Sequence, residues 1–256
     1  MDPKHLPQAL RRMVLAAILC GAGAVHARES AVDVLEIPGA GPVLLALPHS
    51  PDPVPVVVVV PDPAGADQRA RAYTERLNAQ GIATIEIRPG ADAAFSAEVL
   101  AQRFGRLLRA LIADRRFDAR RVAVLGFGRG ARIALSGAAG LPVAALYPGC
   151  APLRAPGTGR ALVLEAGSAP GPQGDCAAFR AALGGRLTHH RYATATYAWD
   201  FADAARLAAS PGQPAPDAEG RVLVRPDPRV TEDAVGRVVH FMTEVLDTQP
   251  AEPGRE

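Results

Sequence analysis

Val122-Ala123-Val124-Leu125-Gly126-Phe127-Gly128-Arg129-Gly130-Ala131-Arg132-Ile133-Ala134-Leu135 is the stretch that decides how this chain folds. Its first four residues are uniformly apolar, as in a strand covered on both faces. Glycines then occupy alternate positions, and a run of helix-forming residues follows without an intervening loop. A strand therefore passes into a helix through a turn whose small flanking residues let the chain reverse sharply. Enzymes that attack carbonyl groups show a nucleophile on such a turn, in the frame Gly-x-nucleophile-x-Gly. Here the frame reads Gly126-x-Gly128-x-Gly130, and its middle residue has no side chain with which to attack.

Upstream, Val54-Pro55-Val56-Val57-Val58-Val59-Val60 predicts a strand buried on both faces, ending in the turn-rich Pro61-Asp62-Pro63-Ala64-Gly65. Residues 67–79 fit a helix stopped by Gly81, and residues 82–87 the next strand. A long amphipathic helix spans 96–113, with Val99, Leu100, Phe104, Leu107, Leu108 and Leu111 on one stripe. Further strands are expected at 121–125, 143–147, 161–166 and 187–193, and a last helix from Thr231 to about Leu246. Such alternation implies a mostly parallel, doubly wound sheet with helices on both faces. Residues 32–37 and 42–47, around Pro38-Gly39-Ala40-Gly41, predict an antiparallel hairpin at its edge. Residues 209–219 read as a surface loop and 248–256 as a disordered tail.

The chain has 256 residues, 48% hydrophobic and 21% charged, enough for one α/β domain with a substantial core. Residues 1–27 read as a secretory signal peptide: Lys4, Arg11 and Arg12 lead an apolar run from Met13 to Val25, and Val25-His26-Ala27 offers a cleavage site. The apolar run is too short for a stable membrane anchor, and Leu19 before Cys20 is too large for lipoprotein processing. The mature domain is expected over 28–247, in the periplasm or secreted. Without residues 1–27 the chain is formally neutral, with no basic patch, which argues against nucleic acid and membrane-surface partners. No spacing of a zinc site and no cofactor motif beyond one loose glycine pattern is present. Cys150 and Cys176 would meet an oxidising compartment; one bridge between them would close a loop of about 25 residues and contribute roughly 2–4 kcal/mol. The alternative is two buried free thiols.

The chain resembles the dienelactone hydrolase family, in particular its exported bacterial members, over roughly residues 40–246. The resemblance rests on the Gly126–Gly130 elbow with Arg129, on Tyr147-Pro148-Gly149-Cys150, on the Gly167 turn leading to Cys176, and on Tyr192-Ala193-Thr194-Ala195-Thr196-Tyr197-Ala198-Trp199-Asp200. It implies an α/β-hydrolase fold and a triad in the chain order nucleophile, acid, histidine. Those positions fall on Gly128, Pro170 and Tyr197: no attacking atom, no carboxylate, and a phenol whose ordinary pKa near 10 makes it a poor base at neutral pH. One oxyanion donor, the backbone N–H of Arg129, survives. The other would come from the loop after the third strand, where Pro63 has no N–H to give. The resemblance thus implies a pseudoenzyme whose pocket, if kept, suits a small neutral ester or lactone.

Several other residues are candidates for a replacement site. Ser168 and Asp175 lie in the loop after the strand at 161–166, His189 and His190 on opposite faces of the strand that follows, and His49 and His240 in a loop and the last helix; Ser136 is expected on a buried helix face. Each is more simply a surface or packing residue. Two alternatives stay open: a working ester or lactone hydrolase built on a relocated residue such as Ser168, and a dinucleotide-binding protein using Gly126-x-Gly128-x-x-Ala131. The second is opposed by the motif's late position and by the missing acidic residue after the next strand. The oligomeric state is not encoded in any pattern of the sequence.

Overall fold

A turn at Gly39 and Gly41, both with positive φ (74° and 75°), folds the first two strands onto each other. In the computed structural model, β1 (Ser30–Ile37) and β2 (Gly41–Pro48) pair antiparallel from Ser30↔Pro48 to Ile37↔Gly41. The structure describes residues 30–63, 68–90, 95–149, 151, 157–167, 177–201, 212–214 and 220–247. The expected signal peptide and tail, Ser168, Pro170, Asp175 and both cysteines of the expected bridge lie outside the described residues.

After the hairpin come β3 (Val54–Val60), α1 (Arg71–Ala79), β4 (Ala83–Ile87), α2 (Ala97–Ala113), β5 (Phe117–Phe127), α3 (Arg129–Gly137), β6 (Val143–Leu146), β7 (Ala161–Ala166), α4 (Ala177–Leu183), β8 (Leu187–Tyr192), β9 (Gly212–Pro214), β10 (Arg221–Leu223) and α5 (Pro228–Asp247). Eight strands form one sheet in the order β1-β2-β4-β3-β5-β6-β7-β8. β2 meets β4 antiparallel, and every pairing from β4 to β8 is parallel. The expected mostly parallel, doubly wound sheet with an N-terminal antiparallel hairpin is therefore present.

Branched side chains on both faces of β3 feed two cores. Val57 and Val59 pack with Tyr73 and Leu77 of α1 and with Val235, Val238 and Met242 of α5. Val56, Val58 and Val60 pack with Leu100, Phe104 and Leu107 of α2 and with Ala131 and Leu135 of α3. Burial on both sides is why the run reads as continuous valine rather than alternating. The Ser96 side chain accepts the Val99 N–H at 3.3 Å and caps α2.

Four elements differ from expectation, the first being α1, which begins at Arg71 rather than at residue 67. α5 begins at Pro228 rather than Thr231, because Asp227 Oδ1 accepts the N–H groups of Arg229 (3.0 Å) and Val230 (3.1 Å) and proline suits a first helical position. β5 starts four residues earlier than expected, with Val54 opposite Phe117 before the register shifts at Val56. Within the expected loop 209–219, residues 212–214 pair antiparallel with β10, whose Val222 is buried in the core of α1 and α5.

The strand order fixes where a site belongs. From β3 the chain crosses by α1 to β4 on one side; from β5 it crosses by α3 to β6 on the other. The two helices leave on opposite faces, so the C-terminal ends of β3 and β5 flank the crevice where open α/β sheets take their ligands.

Candidate active site

Gly128 stands at the apex of the β5–α3 turn with φ +54° and ψ −119°, held by its N–H donating to the Leu146 carbonyl at 3.0 Å. Side chains other than hydrogen are strained there. Its neighbours explain the other glycines. A Cβ at Gly126 would come within 2.5 Å of the Ala131 Cα, and one at Gly130 would overlap the Val60 and Pro61 carbonyls.

Across the crevice, the end of β3 delivers Asp62, which is 1% exposed. From beyond β8, Tyr197 donates its hydroxyl to Asp62 Oδ2. This pair fills the space above the elbow: a Cβ on Gly128 would overlap Tyr197 Oη and Asp62 Oδ2 and lie 2.9 Å from Asp62 Cγ. Arg69 reaches in beside them, its Nη1 3.9 Å from Asp62 Oδ2 and donating to the Tyr147 hydroxyl at 3.2 Å. Its guanidinium carbon lies 5.2 Å from the Phe201 ring centroid. Asp200 completes the network by accepting from Tyr147 (2.7 Å, Oδ1) and Tyr73 (2.8 Å, Oδ2). Asp62, Arg69 and Asp200 are all buried, so each charge relies on these partners in place of water.

Burial above all pushes the phenols of Tyr73, Tyr147 and Tyr197 well above their ordinary value, and the neighbouring carboxylates add to it; Arg69 pulls the other way at Tyr147 and Tyr197. None of the three is a base at neutral pH. Tyr147 and Ala198 also have positive φ, 41° and 50°. Backbone strain of this kind gathers at ligand and catalytic sites, at about 1–3 kcal/mol per residue.

Of the residues singled out in the sequence, Gly128 and Tyr197 come together, with Arg129 opening α3 beside them. Pro63 follows Asp62 at the rim of the crevice, and it is the Asp62 side chain that faces Gly128. Ser136 is exposed, not buried as expected: the buried stripe of α3 runs through Ala131, Ala134 and Leu135, and Ser136 lies off it. His49 and His240 are exposed. His189 and His190 occupy opposite faces of β8. His189 Nε2 is 2.8 Å from Oε2 of the buried Glu165, on the α2–α3 side, while His190 packs against Tyr192 on the side of the tyrosine cluster. This acid–histidine contact is thus on the face of the sheet away from Tyr197. Sequence reasoning missed Asp62, Arg69, Tyr73 and Asp200, and no spacing ties them together.

No family model matches the sequence, and no curated protein matches it. Solved structures do resemble it. A dienelactone hydrolase from Anabaena variabilis has a TM-score of 0.59 at 16% identity, covering 86% of this chain and 100% of that one. An esterase from Pyrobaculum calidifontis has a TM-score of 0.59 at 13% identity, covering 95% and 94%. This chain has the α/β-hydrolase fold. A dienelactone hydrolase-like promiscuous phosphotriesterase from metagenomic libraries resembles it to the same degree (TM-score 0.58, 16% identity, 84% and 98% covered). Within that fold, Gly128 is the apex of the turn from β5 into α3.

Proposed function

We propose that this chain is an exported dienelactone hydrolase-like pseudoenzyme, a protein that keeps the hydrolase scaffold and no longer hydrolyses esters or lactones. One observation carries the reading: the apex of the elbow is glycine, and the space a nucleophile would need holds the Tyr197–Asp62 hydrogen bond. A single missing triad member already costs this chemistry about four to six orders of magnitude, and what remains depends on an intact oxyanion hole. Here the phenol at the histidine position is held protonated by burial, and a carboxylate stands where the developing oxyanion would need donors. The same buried Asp62 beside the start of α3 opposes a dinucleotide, whose pyrophosphate would meet a negative charge at the helix N-terminus. The N-terminal segment supports export, and the formal neutrality of the remainder supports a small neutral ligand if the fold still binds one.

The test is turnover. The purified mature protein is expected to hydrolyse p-nitrophenyl esters and dienelactones no faster than buffer does. Turnover that disappears on Ser168→Ala would overturn the proposal in favour of a relocated site.

A further inference from the structure

All four tyrosines of the chain and its single tryptophan stand in one connected cluster. Edge-to-face contacts run from Tyr197 at the elbow to Tyr147 (5.0 Å between ring centroids), from Tyr147 to Trp199 (4.8 Å), from Trp199 to Tyr192 (5.1 Å) and from Tyr192 to His190 (4.5 Å). Tyr73 joins through Phe127. Every tyrosine hydroxyl donates to an aspartate: Tyr197 to Asp62, Tyr147 and Tyr73 to Asp200, and Tyr192 to Asp233 at 2.7 Å. The inner rings are sealed from solvent. Tyr192 is itself buried, but its acceptor Asp233 lies on α5 with its side chain 48% exposed, so the row ends one side chain beneath the surface.

Packing asks only that each buried phenol find some acceptor, which a backbone carbonyl or a neutral side chain would supply; here every acceptor is a carboxylate, a group that can also take the proton. Oxidation needs such a group. A tyrosine that loses an electron becomes a strong acid, and it rests as a neutral radical only if a nearby base takes the phenolic proton. Among the described residues no carboxylate is found against the buried indole Nε1 of Trp199; its polar neighbour is the Tyr73 hydroxyl, which is no base at neutral pH. An oxidised Trp199 therefore has nowhere local to leave its proton and must draw an electron from a neighbouring tyrosine.

We propose that this row of rings is a one-electron relay between Tyr192, just beneath the surface at Asp233, and the buried tyrosines beside Gly128, serving strong one-electron oxidants of the peroxyl-radical class. The inference is independent of whether hydrolysis has been lost. In the first step the peroxyl radical takes one electron from Tyr192 and a proton from water, leaving as the hydroperoxide, while the Tyr192 phenolic proton passes to Asp233. Trp199 then reduces Tyr192, which recovers its proton, and Tyr147 reduces Trp199 while its own phenolic proton moves to Asp200. One electron has left the protein, the Tyr147 phenolic O–H bond has given its proton to Asp200, no bond of the carbon skeleton has broken, and the oxidising equivalent rests on a ring sealed from solvent. Recovery runs back along the same row: a soluble reductant gives one electron at the Tyr192 end, and Asp200 returns the proton to Tyr147.

The test is laser flash-quench oxidation of the full mature chain with ruthenium tris(bipyridine), following tyrosyl and tryptophan radical absorbance with ascorbate in solution. The wild-type protein is expected to form a tyrosyl radical that ascorbate removes slowly. Trp199→Phe should leave the radical at Tyr192 and shorten its lifetime under ascorbate by an order of magnitude or more. Tyr192→Phe, at the rim of the cluster, should lower the yield of buried radical by a similar factor. Circular dichroism and thermal melting confirm that each variant is folded, and the Tyr192 variant carries the test if Trp199→Phe does not fold. A wild-type radical quenched as fast as free tyrosine, or a folded variant with unchanged yield and lifetime, would overturn the proposal.

Discussion

The Tyr197 hydroxyl donates to the Asp62 carboxylate directly over the Gly128 Cα, so two residues 135 positions apart close the crevice between β3 and β5. The bond satisfies a carboxylate that is almost wholly withdrawn from water. Tyr197→Phe removes the donor and leaves the acceptor buried, which should destabilise the fold by about 1–3 kcal/mol. Arg69→Met, which takes away the cation beside Asp62 and the donor to Tyr147, should destabilise more, by about 3–5 kcal/mol. Urea unfolding of the two variants against the wild type gives both values and their order.

Gly128→Ser returns a nucleophile to the elbow in name only. The side chain would sit at φ +54°, a strain of about 1–3 kcal/mol, and would overlap the Tyr197–Asp62 pair. The variant is expected to be less stable than wild type and without esterase activity. Adding Tyr197→Ala removes part of the overlap, so the double variant should be more stable than the sum of the single changes predicts, with a coupling of about 0.5–3 kcal/mol. A double-mutant cycle by thermal or urea unfolding measures it.

Much of this architecture was legible in the sequence, for definite reasons. β3 reads as a buried strand because both its faces meet helices, and the elbow reads as a turn because the approach of Ala131 and of the β3 end admits only glycine at Gly126 and Gly130. The site's polar network was not legible. Asp62, Arg69, Tyr147 and Asp200 meet only through tertiary structure, and buried aspartates follow no periodicity that separates them from exposed ones. Ser136 was misplaced by a fraction of a helical turn, which is enough to move a residue from core to solvent. α5 was begun too late because Asp227 capping before Pro228 was not recognised.

Alkaline pH should act on all four tyrosines together. Burial raises the folded-state pKa of Tyr73, Tyr147, Tyr197 and Tyr192 above the ordinary value near 10, with the partner aspartates adding to it. A group whose pKa is raised by folding contributes stability that is complete below its unfolded pKa and lost as the pH climbs through the interval above it. Stability should therefore hold up to about pH 10 and fall steeply beyond, where the unfolded chain ionises its phenols and the folded one does not. Tyrosinate absorbance and circular dichroism, followed in one titration, should change together in a single step. Phenol ionisation completed while the native circular dichroism persists would refute this.

The most direct test of the central claim is intact-mass measurement after exposure of the mature protein to a fluorophosphonate, which bonds covalently to activated serines. With Gly128 at the elbow and its space taken by Tyr197 and Asp62, the mass should stay unchanged. One phosphonyl group per chain, mapped to a serine in the native protein and absent after denaturation, would contradict it.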